Sequence, residues 1–106
     1  MKTMKIDFVS LGGPVYSGRP RGAAIREKYE LDAVDQDAMT SVDVKIPDST
    51  YSMTSSFFLG LFGPSVVRAG SSEAFFKKFH FDAKPVLKTA FTGYVENALQ
   101  AKRLFS

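Results

Sequence analysis

Ser41-Val42-Asp43-Val44-Lys45-Ile46-Pro47 alternates without a break. Val42, Val44 and Ile46 fall on one face of an extended chain and Asp43 and Lys45 on the other, so this strand has one buried face and one wet or partly covered face. A sheet with helices packed on one side only produces that alternation. After the polar turn Pro47-Asp48-Ser49-Thr50 the chain reads Tyr51-Ser52-Met53-Thr54-Ser55-Ser56-Phe57-Phe58-Leu59-Gly60-Leu61-Phe62-Gly63-Pro64. Thr54, Ser55 and Ser56 are N-cap residue types and Gly63-Pro64 is a stop signal, which together frame a short second helix. Apolar residues cover nearly its whole circumference. Such a helix is either buried all round or presents its outer face to a partner.

Toward the N-terminus, Met4 to Leu11 alternates imperfectly with β-branched and aromatic content and reads as a first strand, broken by Gly12-Gly13-Pro14. Val15 and Tyr16 resume a strand before the turn-rich cluster Ser17-Gly18-Arg19-Pro20-Arg21-Gly22. A first helix is expected from about Gly22 to Leu31, with Ile25 and Tyr29 facing inward and Arg26, Glu27 and Lys28 outward. An acidic connection, Asp32 to Thr40, leads to the central strand. Toward the C-terminus, Val66 and Val67 precede a flexible loop, Ala69-Gly70-Ser71-Ser72. Glu73 to Phe81 fits two periods, and we read a strand at its end, where Phe79-His80-Phe81 alternates. Pro85 suits a first helical position, and Leu87, Phe91, Tyr94, Val95 and Ala98 form one stripe through a final helix ending near Arg103. The expectation is a single α/β (α+β) domain over residues 1–106: a small mixed sheet of about four strands with three helices packed mainly on one face.

Composition bounds the chemistry. The 106 residues suit one core, and the 10 Phe with no Trp make that core largely benzyl. With no Cys, thiolate metal sites and cysteine nucleophiles are excluded, and the one His leaves no partner for imidazole metal clusters or triads. We expect no enzyme, cofactor or metal. The first ten residues begin like a secretory signal, but Asp7 interrupts any apolar stretch, and no window has 18 uninterrupted apolar residues. A cytoplasmic protein with no membrane association is the expectation. Charge is uneven: residues 26–48 hold seven of the eleven acids against three basic residues, and residues 68–106 hold seven basic residues against three acids. Such a dipolar chain steers partners weakly.

The stretch 43–63, a strand carrying an Asp, a polar turn and then Met53-Thr54-Ser55-Ser56-Phe57-Phe58-Leu59-Gly60-Leu61-Phe62-Gly63, resembles the STAS-like domains, small relatives of the anti-sigma factor antagonists. Phe76 to Phe81 followed by Val86 to Leu99 is similar to the last strand and helix of that family. The likeness spans residues 40–100. It implies a non-enzymatic protein-interaction domain of bacterial or phage origin that binds a regulatory partner, such as a kinase-like ATPase, through the second helix and the loop before it. The antagonists carry a phosphorylatable Ser where that helix opens, which implies Ser56, or else Ser55, as the phosphoacceptor. Thr54 stands where antagonists usually have Asp, and Phe58, Leu59 and Gly60 replace the acids of other relatives, which makes the helix more apolar.

The residues themselves are compatible with that use. A phosphate at a helix N-terminus meets free backbone N–H groups and the positive dipole end, and it adds about −1.5 to −2 charges at pH 7. The expected partner surface is Tyr51, Met53, Thr54, Phe57, Phe58 and Leu61. Arg19 and Arg21, within the Gly-rich cluster, form a weak anion-binding nest together with Gly12-Gly13, or else a plain turn. Two other classes compete. Lys77, Lys78, Lys84, Lys88, Lys102 and Arg103, with Phe79 and Phe81 offered for base stacking, describe a small nucleic-acid-binding module. A phage or mobile-element inhibitor of a host protein is the other.

Overall fold

The computed structural model describes residues 2–9 and 15–105, with side chains to residue 101. Three strands, β1 (Lys2–Asp7), β3 (Thr40–Lys45) and β5 (Phe79–Asp82), form a parallel sheet in the order β1-β3-β5. Parallel neighbours need long crossovers, and helices supply them. The helices α1 (Arg19–Lys28) and α2 (Leu31–Gln36) join β1 to β3, α3 (Ser55–Ala69) and α4 (Ser72–Lys78) join β3 to β5, and α5 (Pro85–Phe105) follows. A separate parallel pair, β2 (Val15–Tyr16) with β4 (Ser52–Met53), sits in the connections. The sheets are therefore parallel where a mixed sheet was expected, and among the described residues five helices stand where three were expected.

All five helices contribute to one layer. Ile6, Val42, Val44 and Phe79 are buried under it, and a continuous cluster extends through Phe57, Phe58, Leu61, Phe62, Phe75, Phe91 and Val95. The benzyl character shows at its centre, where the Phe58 ring lies 5.0 Å from Phe91, 5.1 Å from Phe62 and 5.5 Å from Tyr94. Offset and tilted pairs of this kind add to what area alone contributes. The opposite sheet face is polar. The register sets Lys5, Asp43 and His80 in one row and Asp7, Lys45 and Asp82 in the next, so each lysine has an aspartate beside it across the strands and the His80 ring adjoins Asp43. This is the wet face that the alternation of residues 41–47 predicts.

Several boundaries differ from the sequence reading. The first helix starts three residues earlier, at Arg19, because Pro20 pre-sets the first turn. It ends at Lys28, and part of the expected acidic connection is α2, entered through Glu30 at φ 53°. Gly63-Pro64 does not stop the helix expected there, α3, which runs on to Ala69. Proline normally pushes its predecessor out of the helical region by crowding that residue's Cβ; Gly63 has none, and the ring faces outward. The Ala69–Ser72 loop is only a tight joint, with Gly70 closing α3 and Ser71 capping α4 through Ala74 N–H. The residues of α4 and β5 obey both periods of residues 73–81 in turn. Ser10, Leu11 and Gly12-Gly13-Pro14 lie outside the described residues.

The helices α1 and α3 cross closely, backbone against backbone. A Cβ on Gly22 would stand 2.2 Å from the Phe57 carbonyl oxygen, and one on Gly60 would stand 2.3 Å from that of Arg19. Beside this crossing lies Arg26, which is 7% exposed, against the expectation that it points outward. Its guanidinium donates to the Leu61 carbonyl (3.0 Å), Ser65 Oγ (2.8 Å), Asp32 Oδ1 (2.7 Å) and Asp35 Oδ2, and Ser65 Oγ donates to Asp35 (2.8 Å). A buried guanidinium has to satisfy its donors, and here the partners are groups of the fold. Three helices are tied by one side chain.

Candidate functional site

In a parallel sheet the chain leaves each strand at the same end, and the connections collected there are where function is usually built. The segment leaving β3 turns at once. Thr50 N–H donates to the Pro47 carbonyl (2.9 Å), Tyr51 emerges 78% exposed, and Ser52-Met53 then pairs with Val15-Tyr16. Thr54 N–H donates to the Tyr16 carbonyl (2.9 Å), which fixes where α3 begins. From α5, the Tyr94 hydroxyl donates to the Met53 carbonyl (2.9 Å) and pins the same point from the other side.

Thr54 is the cap: its Oγ1 accepts from Phe57 N–H at 3.2 Å. Ser55 and Ser56 are exposed in the first turn and are not the cap. No acid occupies that turn, so the positive end of a 15-residue helix is uncompensated by its own side chains. Positive charge is added from α1. The Arg21 guanidinium lies 5.0 Å from the Tyr16 ring centre and 6.0 Å from that of Phe57. Tyr16 is buried and donates to the Phe8 carbonyl (3.2 Å); desolvation raises its pKa above 10.0, and nearby Arg21 opposes that shift.

Of the expected partner surface, the structure displays Tyr51 fully and Thr54 in part. Met53, Phe57, Phe58 and Leu61 are buried. That part of the expected contact surface is corrected: a helix apolar on every side lies beneath α1 and α5 and above the sheet, and all its large rings have core neighbours. Arg19 and Arg21 are exposed, in the first turn of α1 and not in a loop nest, and Gly22 serves the helix crossing. Sequence reasoning missed Arg21 as a neighbour of the second helix. Its signal was available only as the i, i+1 juxtaposition with Gly22, a residue that has to touch something.

The basic C-terminal half is partly committed elsewhere. Lys78 Nζ donates to the carbonyls of Asp37 (2.7 Å) and Thr40 (2.9 Å), Phe79 is buried and Phe81 is half-buried. His80 points from the polar sheet face, with Nδ1 3.3 Å from Asp43 and Nε2 2.8 Å from the Lys77 carbonyl. Among the described residues no three of His, Cys, Asp and Glu converge as metal ligands, and no helix is long and apolar enough to cross a membrane. Compared with known proteins, the chain matches no family model, no curated protein and no solved structure.

Proposed function

We propose that the chain is a non-enzymatic, STAS-like protein-interaction domain acting in the cytoplasm. It binds a regulatory partner, a kinase-like ATPase being the class that the resemblance implies, through Tyr51 and the exposed first turn of α3. One observation carries this reading: the cap falls to Thr54, so Ser55 and Ser56 stand exposed beside an exposed tyrosine at the positive end of a helix whose Phe57, Phe58, Leu61, Phe62 and Val66 side chains are already buried. Contact at this end is made by a ring and hydroxyls, and phosphorylation of Ser56 would place about two negative charges there at pH 7. A partner presenting acidic or apolar groups is then expelled, with no change inside the fold.

The test is partner capture by covalent cross-linking with the wild type, Ser56→Asp and Tyr51→Ala. The wild type is expected to retain a protein that both variants lose while their circular dichroism and melting temperature stay unchanged. Equal recovery of the same proteins by all three sinks the proposal. Phe58→Ser is not informative about contact, because Phe58 is core and its loss is a folding defect.

A further inference from the structure

β5 is the end strand of the main sheet, and among the described residues no strand lies beyond it. Phe79 and Phe81 turn their backbone groups outward; the Phe79 N–H is taken by the Phe75 carbonyl where α4 closes, and the Phe79 carbonyl with the Phe81 N–H and carbonyl is the ladder that faces another chain. The opposite edge, β1, carries Lys2 and Lys5 within the strand, a device that discourages pairing, but Phe79-His80-Phe81-Asp82 carries neither Lys nor Pro. Alongside it a cavity of about 250 Å³ is lined by Phe76, Phe79, Phe81 and Phe91 together with His80 and Lys88. Successive residues of both sheet faces line it, which places it on the strand's free edge.

We propose that this edge takes up an extended acidic peptide segment of a partner protein, which adds as a fourth strand beside β5 and puts one aromatic or branched aliphatic side chain between Phe76, Phe81 and Phe91. An exposed ladder selects extended backbone, and pockets for alternate side chains select sequence. The charge of the occupant follows from the rim. Lys88 borders the cavity and exposed Lys77 precedes the strand, whereas Lys84 Nζ donates to the Asp48 carbonyl (3.4 Å) and Asp82 is the one acid on β5 itself. Two copies of this chain joined edge to edge would bring two such basic rims together, and an acidic segment meets them with complementary charge. This surface is independent of the first turn of α3.

The probes are a fluorescein-labelled heptapeptide, Asp-Glu-Val-Phe-Val-Asp-Glu, a counterpart flanked by Lys, and a form N-methylated on alternate backbone nitrogens. Anisotropy is expected to show the acidic peptide binding with Kd below about 1 mM, within the range of weak transient recognition. The Lys-flanked and N-methylated forms, and the exposed variant Lys88→Glu, are each expected to weaken it at least about tenfold, the loss of one charge contact or one set of ladder bonds. Amide shifts should concentrate on Phe79–Asp82 and Lys88–Thr92 and persist in Ser56→Asp. The proposal is overturned if no peptide binds, if the charge-reversed or N-methylated form binds equally well, or if the shifts fall elsewhere. Concentration-dependent dimerisation that shifts the same amides overturns it in favour of a second copy, and tighter binding of a single-stranded oligonucleotide there does so in favour of nucleic acid.

Discussion

Gly60→Ala is expected to destabilise the protein although alanine is the better helix former. The added Cβ would lie 2.3 Å from the Arg19 carbonyl oxygen and 3.1 Å from the carbon atoms beside it, all of them backbone. No rotamer change relieves a backbone contact, so α1 must lift by about 1 Å to restore an ordinary separation near 3.4 Å. The same displacement strains the Arg26 bonds to Leu61 and Ser65, which span the two helices. Overpacking of this kind costs about 1–3 kcal/mol or more, while alanine returns about 1 kcal/mol of helix propensity. With two hydrogen-bonded contacts also stretched, the net loss is about 2 kcal/mol, a fall of roughly 8–15 °C in melting temperature at this chain length. Gly93→Ala in α5 is the control, because a Cβ there meets nothing within 4 Å; it should stabilise by about 0.5–1 kcal/mol. Urea unfolding followed at 222 nm reads both. A Gly60→Ala protein as stable as the wild type, or two substitutions moving the midpoint in the same direction, would refute the close crossing.

Asp35→Ala should lose about 3 kcal/mol or more, since it strands a buried guanidinium whose partner carboxylate is 3% exposed; Asp32→Ala, whose side chain is 78% exposed, should lose less than about 1 kcal/mol in the same urea titration. Bonds from the Thr40 hydroxyl and then the Met39 amide hold the Asp37 carboxyl below its ordinary 3.8. A depressed acid stabilises above its unfolded pKa and ceases to do so as pH falls through the folded value, so Asp37→Asn should be less stable than wild type at neutral pH and match it in strong acid. Tyr16 is the mirror case, its pKa raised above 10.0 chiefly by desolvation. Its contribution is present below that pH and is lost as pH climbs through the folded value, and in Tyr16→Phe the alkaline part of the unfolding curve should flatten, with about 1 kcal/mol lost at neutral pH with the bond to Phe8.

What the chain disclosed before its structure was known depended on the length of each pattern. The alternation of residues 41–47 located β3, which starts one residue earlier and ends at Lys45, and its wet face, and the stripe from Leu87 to Ala98 located α5, because each pattern repeats several times. The six residues of α2 offer only Leu31, Ala33 and Val34 as apolar positions, too few for a period to show, and its start through a left-handed Glu30 carries no sequence mark. Pro64 was misleading because its effect depends on a neighbour without a Cβ. Arg26 read as a surface residue because charge ordinarily lies outside; its burial depends on Asp35, 9 positions away, and on Ser65, 39 positions away, which no local window contains. At the site, Ser55 and Ser56 are exposed as a helix opening suggests, whereas the fate of Phe57, Phe58 and Leu61 depended on whether α1 and α5 come down on them. Ringing a helix with apolar residues says that it needs neighbours, not which ones.

The checkered face of the sheet has a consequence for how this architecture can change over generations. Parallel sheets are ordinarily clothed on both sides; here six ionisable groups, Lys5, Asp7, Asp43, Lys45, His80 and Asp82, lie in alternating rows on the bare side. Laying an extra helix over them would strip water from each, at several kcal/mol per ion, with only lateral neighbours as compensation. Replacing them singly by apolar residues leaves an unmatched neighbour each time. The bare side is thus a barrier to growth: insertions that enlarge the domain are tolerated at its rim and ends, and a further helical layer requires the whole mosaic to be rewritten at once.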